Sequence, residues 1–378
     1  MKRNGGLLGV GFGVALAAAA IGFTPRPRTG AEIEVACSNS ADDADRINAA
    51  IAASEEGDEV VIDGPCLIAE TIELLGDRAY RGESRTGTIL RQGDGANLEA
   101  MLASDSYLDN LPRTGSPISI RRLTLDGNKV SNSAATTAII LRSWQSVVED
   151  VQIKGMGGHG IMLSSSSADG TQMTESTSVN GQIVGNFITD CDGHGVYVYE
   201  PAGNSMTDWN LTDNWIASSG RSGIHLDNAA GWVIERNHIY GVPEHAIHAH
   251  RLYGTSISDN YIEDFGETAQ GGVWYGIEAT IQGGKASVIA HNKVFTGDEA
   301  NAGSTYRYIG ISGVNYGHGV VSVTGNAIRG SGTPRGVGLY YAQGEGTGLS
   351  VASSANVIAD VATPLATEGE NVVVTPGI

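Results

Sequence analysis

The feature that most constrains this chain is an Asn followed two residues later by an aliphatic residue, repeated along its second half. It occurs as Asn186/Ile188, Asn214/Ile216, Asn237/Ile239, Asn260/Ile262, Asn292/Val294, Asn326/Ile328 and Asn356/Ile358. The steps from Asn214 to Asn237 and from Asn237 to Asn260 are both 23 residues, and the others run from 28 to 34. A unit this short holds a few strands and no connecting helix. It cannot bury an apolar face until its neighbours stack on it, which is the signature of a solenoid.

A second element recurs with the first, a small residue and then aliphatic, variable, aliphatic. It reads Gly160-Ile161-Met162-Leu163, Gly195-Val196-Tyr197-Val198, Gly223-Ile224-His225-Leu226, Ala246-Ile247-His248-Ala249 and Gly276-Ile277-Glu278-Ala279, with a weaker copy at Gly310-Ile311-Ser312-Gly313. Alternation sends the aliphatic residues inward and the variable ones outward. The pattern predicts an all-β, single-stranded, right-handed parallel β-helix of roughly nine to eleven coils. A helix over Asp42–Ser54, with Ala44, Ile47, Ala50 and Ile51 on one face, is expected to cap its open end against edge pairing. Residues 1–30 are expected to be a signal peptide and short linker, 31–117 the cap and first coils, and 118–378 the repeating coils continuous with them.

Gly makes up 53 of 378 residues, charged residues are 17% and hydrophobic residues 41%, a mixture for strands joined by tight turns rather than for disorder. The formal charge of -19 excludes a broad basic surface for nucleic acid or anionic membranes, so an anionic ligand would need a local basic pocket. Lys2 and Arg3 precede an apolar stretch from Leu7 to Phe23, read as a secretory signal peptide, which places the protein outside the cell or in the periplasm with no membrane attachment after its removal. In an oxidising compartment Cys37 and Cys66 are expected to pair and staple the cap, leaving Cys191 as a buried filler.

The stretches Asp42-Asp43-Ala44-Asp45-Arg46-Ile47, Gly57-Asp58-Glu59-Val60-Val61-Ile62, Thr71-Ile72-Glu73-Leu74 and Leu123-Thr124-Leu125-Asp126-Gly127-Asn128 resemble the opening of pectate-lyase-like right-handed β-helix proteins. That superfamily includes polysaccharide lyases, glycoside hydrolases, uronan epimerases and phage tailspikes, so the resemblance implies the fold and a carbohydrate substrate. The Gly-His-Gly triplets at His159 and His194 are similar to one motif of polygalacturonases, but that family's Asn-Thr-Asp, Asp-Asp and Arg-Ile-Lys motifs are absent, as is the Asp-Pro-His motif of mannuronan epimerases. No catalytic residue is carried over.

Stacking the second element coil by coil gives three outward files: Ile140, Met162, Tyr197, His225, His248, Glu278, Ser312; then Arg142, Ser164, Tyr199, Asp227, His250, Thr280; and at the preceding bend His159, His194, Ser222, His245, Tyr275. Titratable and aromatic residues concentrate in the middle coils, where a polymer-binding solenoid holds its substrate. His225, His248, His250, Asp227 and Tyr199 are the candidate acid/base residues; Tyr197, Arg221, Arg251, Glu278, Trp274 and Tyr275 are the candidate substrate-binding residues. His159 and His194 are expected to bond the backbone, and Trp209, Trp215 and Trp232 to pack turns. Ser164–Gly181 and Phe265–Trp274 are insertions able to wall a groove on either side of the histidines, and the Ser-rich first one reads rather as disordered decoration.

The first expectation is β-elimination on an acidic, uronic-acid glycan, in which an Arg holds the carboxylate while His or Tyr moves protons. Hydrolysis is second, because Asp227 and Glu278 fall roughly 11 to 12 Å apart on strand spacing and Glu200 with Asp227 makes the better pair. A uronan epimerase is the other enzymatic alternative, and a non-catalytic glycan-binding or structural solenoid the alternative of another class. The expected partner is an extracellular polysaccharide or oligosaccharide, with no nucleic acid. No cofactor is called for; a divalent ion at His225, Asp227, His248 and His250 is the lesser alternative.

Overall fold

The computed structural model describes residues 30–376 apart from 202, 204, 269–270, 298–302 and 333–334. The apolar amino-terminal stretch lies outside the described residues. Three long sheets run the length of the molecule, one of 13 strands and two of 11; within each, neighbouring strands are three or four apart in the chain, save the first two of the 13-stranded sheet, which are consecutive. All their pairings are parallel, so each coil donates one strand to each sheet: a parallel β-helix of about eleven coils, as the repeat predicts.

The aliphatic residue after each Asn stacks on its counterparts. Ile153, Ile188, Ile216, Ile239, Ile262, Val294 and Ile328 form one inward column, every member buried. Ile183, Leu211, Ile234, Ile257 and Ile289 form a second on the 13-stranded sheet. Fully burying one such side chain contributes about 1.5–3 kcal/mol, and every coil adds several.

The asparagines turn the corner between these two sheets. The amide of Asn237 donates from Nδ2 to Oδ1 of Asn260 at 3.0 Å and to the Leu211 carbonyl at 2.8 Å, while its Oδ1 accepts the backbone N–H of Asn214. The arrangement repeats from Asn186 to Asn356, so the buried amides satisfy one another coil by coil.

The helix spans Asp43–Ala53, buries Ala44, Ile47 and Ile51 against the first strands, and covers the end of the solenoid. Asp43 accepts backbone N–H groups from Ser38, Ser40 and Leu67, which fixes the helix start. Cys37 and Cys66 form the expected disulfide. Cys191 is free and buried, and burial pushes its thiol pKa up to about 12.

The Ser-rich insertion departs from expectation, because it is ordered. Ser164 to Ser167 are buried, and Ser178–Val179 pairs with Met206–Thr207 in a small extra sheet. It covers Arg142, placed by sequence on an open outward file and found fully buried. The Arg142 guanidinium instead donates to the carbonyls of Ser106 at 3.0 Å and of Arg113 and Thr171 at 3.3 Å. A buried cation must find acceptors, and the covering loops supply them. No helix among the described residues is long and apolar enough to cross a membrane.

Candidate functional site

The middle of the sheet that runs from Ile72–Leu74 to Thr363–Glu368 carries the site, and its register decides which side chains meet. Met162 pairs with Tyr197, Tyr197 with His225, His225 with His248 and His248 with Glu278. The first outward file is therefore as read up to Glu278. There it departs, because Glu278 pairs with Gly310 and Ser312 pairs with Thr280. A shift of two residues keeps every side chain on its own face, so alternation by itself does not choose between the two registers. Packing chooses the register that stacks Ile277 on Ile309 and Ala279 on Ile311.

In the bend file, His194 donates its backbone N–H to Nδ1 of His159 at 3.0 Å, Ser222 to Nδ1 of His194 at 3.2 Å, and Tyr275 to Nδ1 of His245 at 3.1 Å. The rings of His159 and His194 stack 5.3 Å apart at 6°. These imidazoles hold the coils in register, which is the backbone role expected of His159 and His194. Burial depresses the pKa of His159 and of His245 to about 4, so both are neutral at pH 7.

The chemistry gathers one step further along each strand. His225 Nε2 lies 3.1 Å from Asp227 Oδ1, and its ring stacks on His248 with centroids 4.4 Å apart. His248 Nδ1 stands 3.0 Å from Glu278 Oε2, a close contact that is not aligned as a hydrogen bond. His248 Nε2 meets His250 Nε2, which requires one of the two rings to donate to the other. His245 Nε2 is 3.5 Å from the same Glu278 oxygen.

Burial depresses the His250 pKa to about 4. Burial works against the charge on Asp227, yet the His225 hydrogen bond and the Glu200 N–H outweigh it and hold that carboxyl below its usual range. Glu278 is held down in the same way, burial being overcome by His248. His245 and His250 are therefore neutral at pH 7 on a wall that also carries two ionised carboxylates, and a neutral imidazole can take up a proton.

The tyrosines flank this centre. Tyr197 lies 5.4 Å edge-on to His225 and 5.9 Å from Tyr199, which is 38% exposed. Burial raises the Tyr197 pKa to about 12, which leaves it a hydrogen-bond donor. On the other flank Trp274 sits 5.6 Å from His245 and Tyr275 5.3 Å from it.

Three residues singled out by sequence are engaged elsewhere. Arg221 pairs with Glu244 at 3.3 Å. Arg251 occupies a bulge between Ala249 and Leu252 with φ 62°, lies 4.8 Å over the Tyr316 ring and donates to the Gly203 carbonyl. Glu200 accepts backbone N–H groups from Gly203, Ser205 and Met206, so this buried carboxylate closes a turn and is not a partner for Asp227 in hydrolysis. The donor atoms that come within 4.8 Å of one another belong to His245, His248 and Glu278, not to the set of His225, Asp227, His248 and His250. His245 escaped notice as a donor because only coil-to-coil stacking brings a bend residue beside Glu278. Arg307 continues the bend file one coil beyond Tyr275, where the small-residue pattern that marks the other coils has weakened.

Two tryptophans pack turns as expected: Trp209 and Trp232 are buried and stacked 6.2 Å apart. Trp215 is different. It stands 39% exposed on another sheet, in an outward column with Phe187, His238 and Tyr261.

Solved structures similar to this chain have the same fold at low identity. The DFA-IIIase from Arthrobacter chlorophenolicus A6 aligns at a TM-score of 0.59 and 15% identity, over 91% of this chain and 94% of that one. The mannuronan C-5 epimerase AlgE4 A-module from Azotobacter vinelandii aligns at 0.54 and 16%, over 89% and 96%. The Dettilon tailspike protein aligns at 0.56 and 13%, over 88% and 68%. No curated protein matches the sequence. A family model described as "Periplasmic copper-binding protein (NosD)" matches residues 83–285, more than half of the chain, including the whole histidine wall from His159 to Glu278. The chain belongs to the NosD family of parallel β-helix proteins.

Proposed function

We propose that the wall is the active face of an exported enzyme that cleaves an acidic polysaccharide by β-elimination. One observation carries this reading: two imidazole and carboxylate pairs, His225 with Asp227 and His248 with Glu278, stand side by side with their rings 4.4 Å apart. In β-elimination a proton leaves C5 of a uronic acid while the oxygen on the neighbouring C4 departs. One neutral imidazole takes the C5 proton, the C4–O bond breaks as the C4–C5 double bond forms, and the other, entering the step as imidazolium, gives its proton to the leaving oxygen, so the pair ends with its protonation exchanged. Reacting atoms on adjacent carbons suit a base and an acid from adjacent coils, about 4.8 Å apart.

Hydrolysis fits less well. Asp227 and Glu278 are separated by two coil steps and one file across, roughly 11 to 12 Å on strand spacing, beyond the roughly 5 to 9.5 Å that carboxylate pairs use. Tyr197 and Tyr199 offer faces for sugar rings, and two of the similar folds include one named for mannuronan and a tailspike. The Cys37–Cys66 disulfide and the periplasmic description of the family both support export.

Metal binding is the second reading, favoured by the convergence of His245 Nε2, His248 Nδ1 and Glu278 Oε2 and by the family's description. The donor set fits: two imidazoles and a carboxylate suit copper(II) or zinc, and ligands about 2.0–2.2 Å from one ion stand about 3.3 Å apart when tetrahedral. The contacts of 3.0 and 3.5 Å to Glu278 lie near that spacing. Bound there, a divalent ion would supply a positive charge to neutralise a substrate carboxylate.

The test is a panel of uronic-acid and neutral glycans, followed by ultraviolet absorbance of unsaturated ends and by reducing sugar, in chelator and in added copper or zinc. A lyase raises both signals and a hydrolase only the second. Silence across the acidic glycans in every condition overturns the enzymatic reading. Metal content of the purified protein and of Glu278→Gln decides the second reading without reference to activity.

A further inference from the structure

The strongly negative chain must gather positive charge locally if it is to hold an acidic glycan, yet the arginines at the wall are engaged: Arg142 is walled in, Arg221 is paired with Glu244 and Arg251 lies over Tyr316. One cation on the same face is placed differently. Arg307 follows Tyr275 in register, one coil beyond it and outside the stretch matched by the family model. Its guanidinium lies 3.4 Å over the Tyr340 ring and 5.5 Å from the Tyr275 ring, and Nη1 donates to the Tyr275 hydroxyl at 2.5 Å. Nε is buried without a hydrogen-bond partner, and among the described residues Arg307 makes no ion pair within 4.0 Å.

The backbone is shaped to allow this stack. Gly310 stands opposite Glu278, and a Cβ on it would fall 2.2 Å from the Tyr275 ring. The bare glycine lets that ring lie across the strand and bring its hydroxyl to Arg307. Together Tyr275, Arg307, Ser312, Tyr340, Gln343 and Glu368 line a cavity of about 520 Å³, within the range of small-ligand pockets. Glu368 accepts the Tyr340 hydroxyl and is exposed, so water screens its charge more than that of a ligand seated on Arg307.

We infer that Arg307, clamped between Tyr275 and Tyr340, is a subsite for one carboxylate of an acidic glycan and makes the wall selective for charged over neutral chains. This rests on the proposal that the wall handles such a glycan. Arg307 lies two coils beyond His248, about 10 Å along the solenoid axis, and three residues nearer the bend, so a chain bound there crosses the face toward the reacting pair. The planar fork matches a carboxylate, and its unused Nε donor is the one a ligand oxygen can take.

The test is calorimetric binding of a uronic-acid oligosaccharide and its carboxyl-reduced neutral counterpart to the full protein, to Arg307→Met and to His248→Ala. Wild type is expected to prefer the charged ligand at least tenfold, Arg307→Met to lose that preference, and His248→Ala to keep it while losing turnover. Charged-hydrogen-bond strengths set the expected loss at about 10- to 100-fold. If Arg307→Met keeps the preference, the subsite is overturned and the wall stands. If wild type binds neither ligand, the glycan reading falls with it. Should Arg307→Met fail to fold, Arg307→Lys decides: a several-fold weaker preference supports the subsite, and unchanged selectivity overturns it.

Discussion

Two columns of side chains climb this solenoid, and they look alike in sequence. The asparagines from Asn186 to Asn356 and the imidazoles around His159, His194, His225, His245 and His248 both recur coil after coil. In the asparagine column every residue is the same, and Nδ2 and Oδ1 of neighbouring amides meet at 2.9 to 3.0 Å in each step from Asn186 to Asn356. In the histidine column the residue changes along the file, from Tyr197 to His225 to His248 to Glu278, and the imidazoles lean on carboxylates as well as on backbone. A ladder that closes on itself holds the fold. A ladder that changes chemistry at its centre and faces outward has capacity left for a ligand.

The sharpest way to break the comparison is to cut the asparagine column. Asn260→Leu removes the acceptor of the Asn237 N–H and Nδ2, and the donor to the Ile234 carbonyl. Orphaning buried groups at about 1–3 kcal/mol each predicts a loss of about 3–5 kcal/mol in guanidinium unfolding. His248→Ala should do the reverse, lowering turnover on an acidic glycan by about 10²–10⁴-fold while the unfolding midpoint stays close to wild type. If His248→Ala unfolds the protein and leaves activity in the remaining folded fraction, the two columns have the same role.

Acid sharpens the contrast next. His159, His245 and His250 titrate near 4 in the fold, against an ordinary value of 6.5, because burial disfavours their charge. Between those limits the unfolded chain binds more protons, so their contribution is complete above pH 6.5 and is lost as pH falls toward 4. A melting temperature lower by on the order of 10 °C near pH 4.5 than at pH 7.5 is expected, with the drop reduced in His245→Gln. The amides do not titrate, so Asn260→Leu should fall with pH in parallel with wild type. The smallest effect belongs to Trp215→Ala on the other face, expected within about 1 kcal/mol in stability and without effect on turnover.

The sequence makes the fold legible because a solenoid repeats its constraints. Asn at each corner and an aliphatic residue two positions on fix period and face together, and the cap helix and the Cys37–Cys66 pairing follow from local pattern. The file at the centre of the candidate site is legible too, since alternation places His225, His248 and Glu278 together on one face, as their pairing has it. What pattern does not carry is contact across longer strands and covering loops. Glu278 meets Gly310 rather than Ser312 because two registers share the same alternation, and Arg142 is buried because an insertion folds over it. Arg307 follows Tyr275 in the bend file, and the tyrosines of Tyr306-Arg307-Tyr308 around it are the signal that could have found it.

The most direct measurement is a crystal structure of the protein soaked with a uronic-acid oligosaccharide. The sugar chain is predicted to lie along the wall, with a C5 near the His225 and His248 rings and a carboxylate on Arg307. Density for the oligosaccharide on the Phe187–Trp215 face, with the histidine wall bare, would contradict the assignment of this wall as the site.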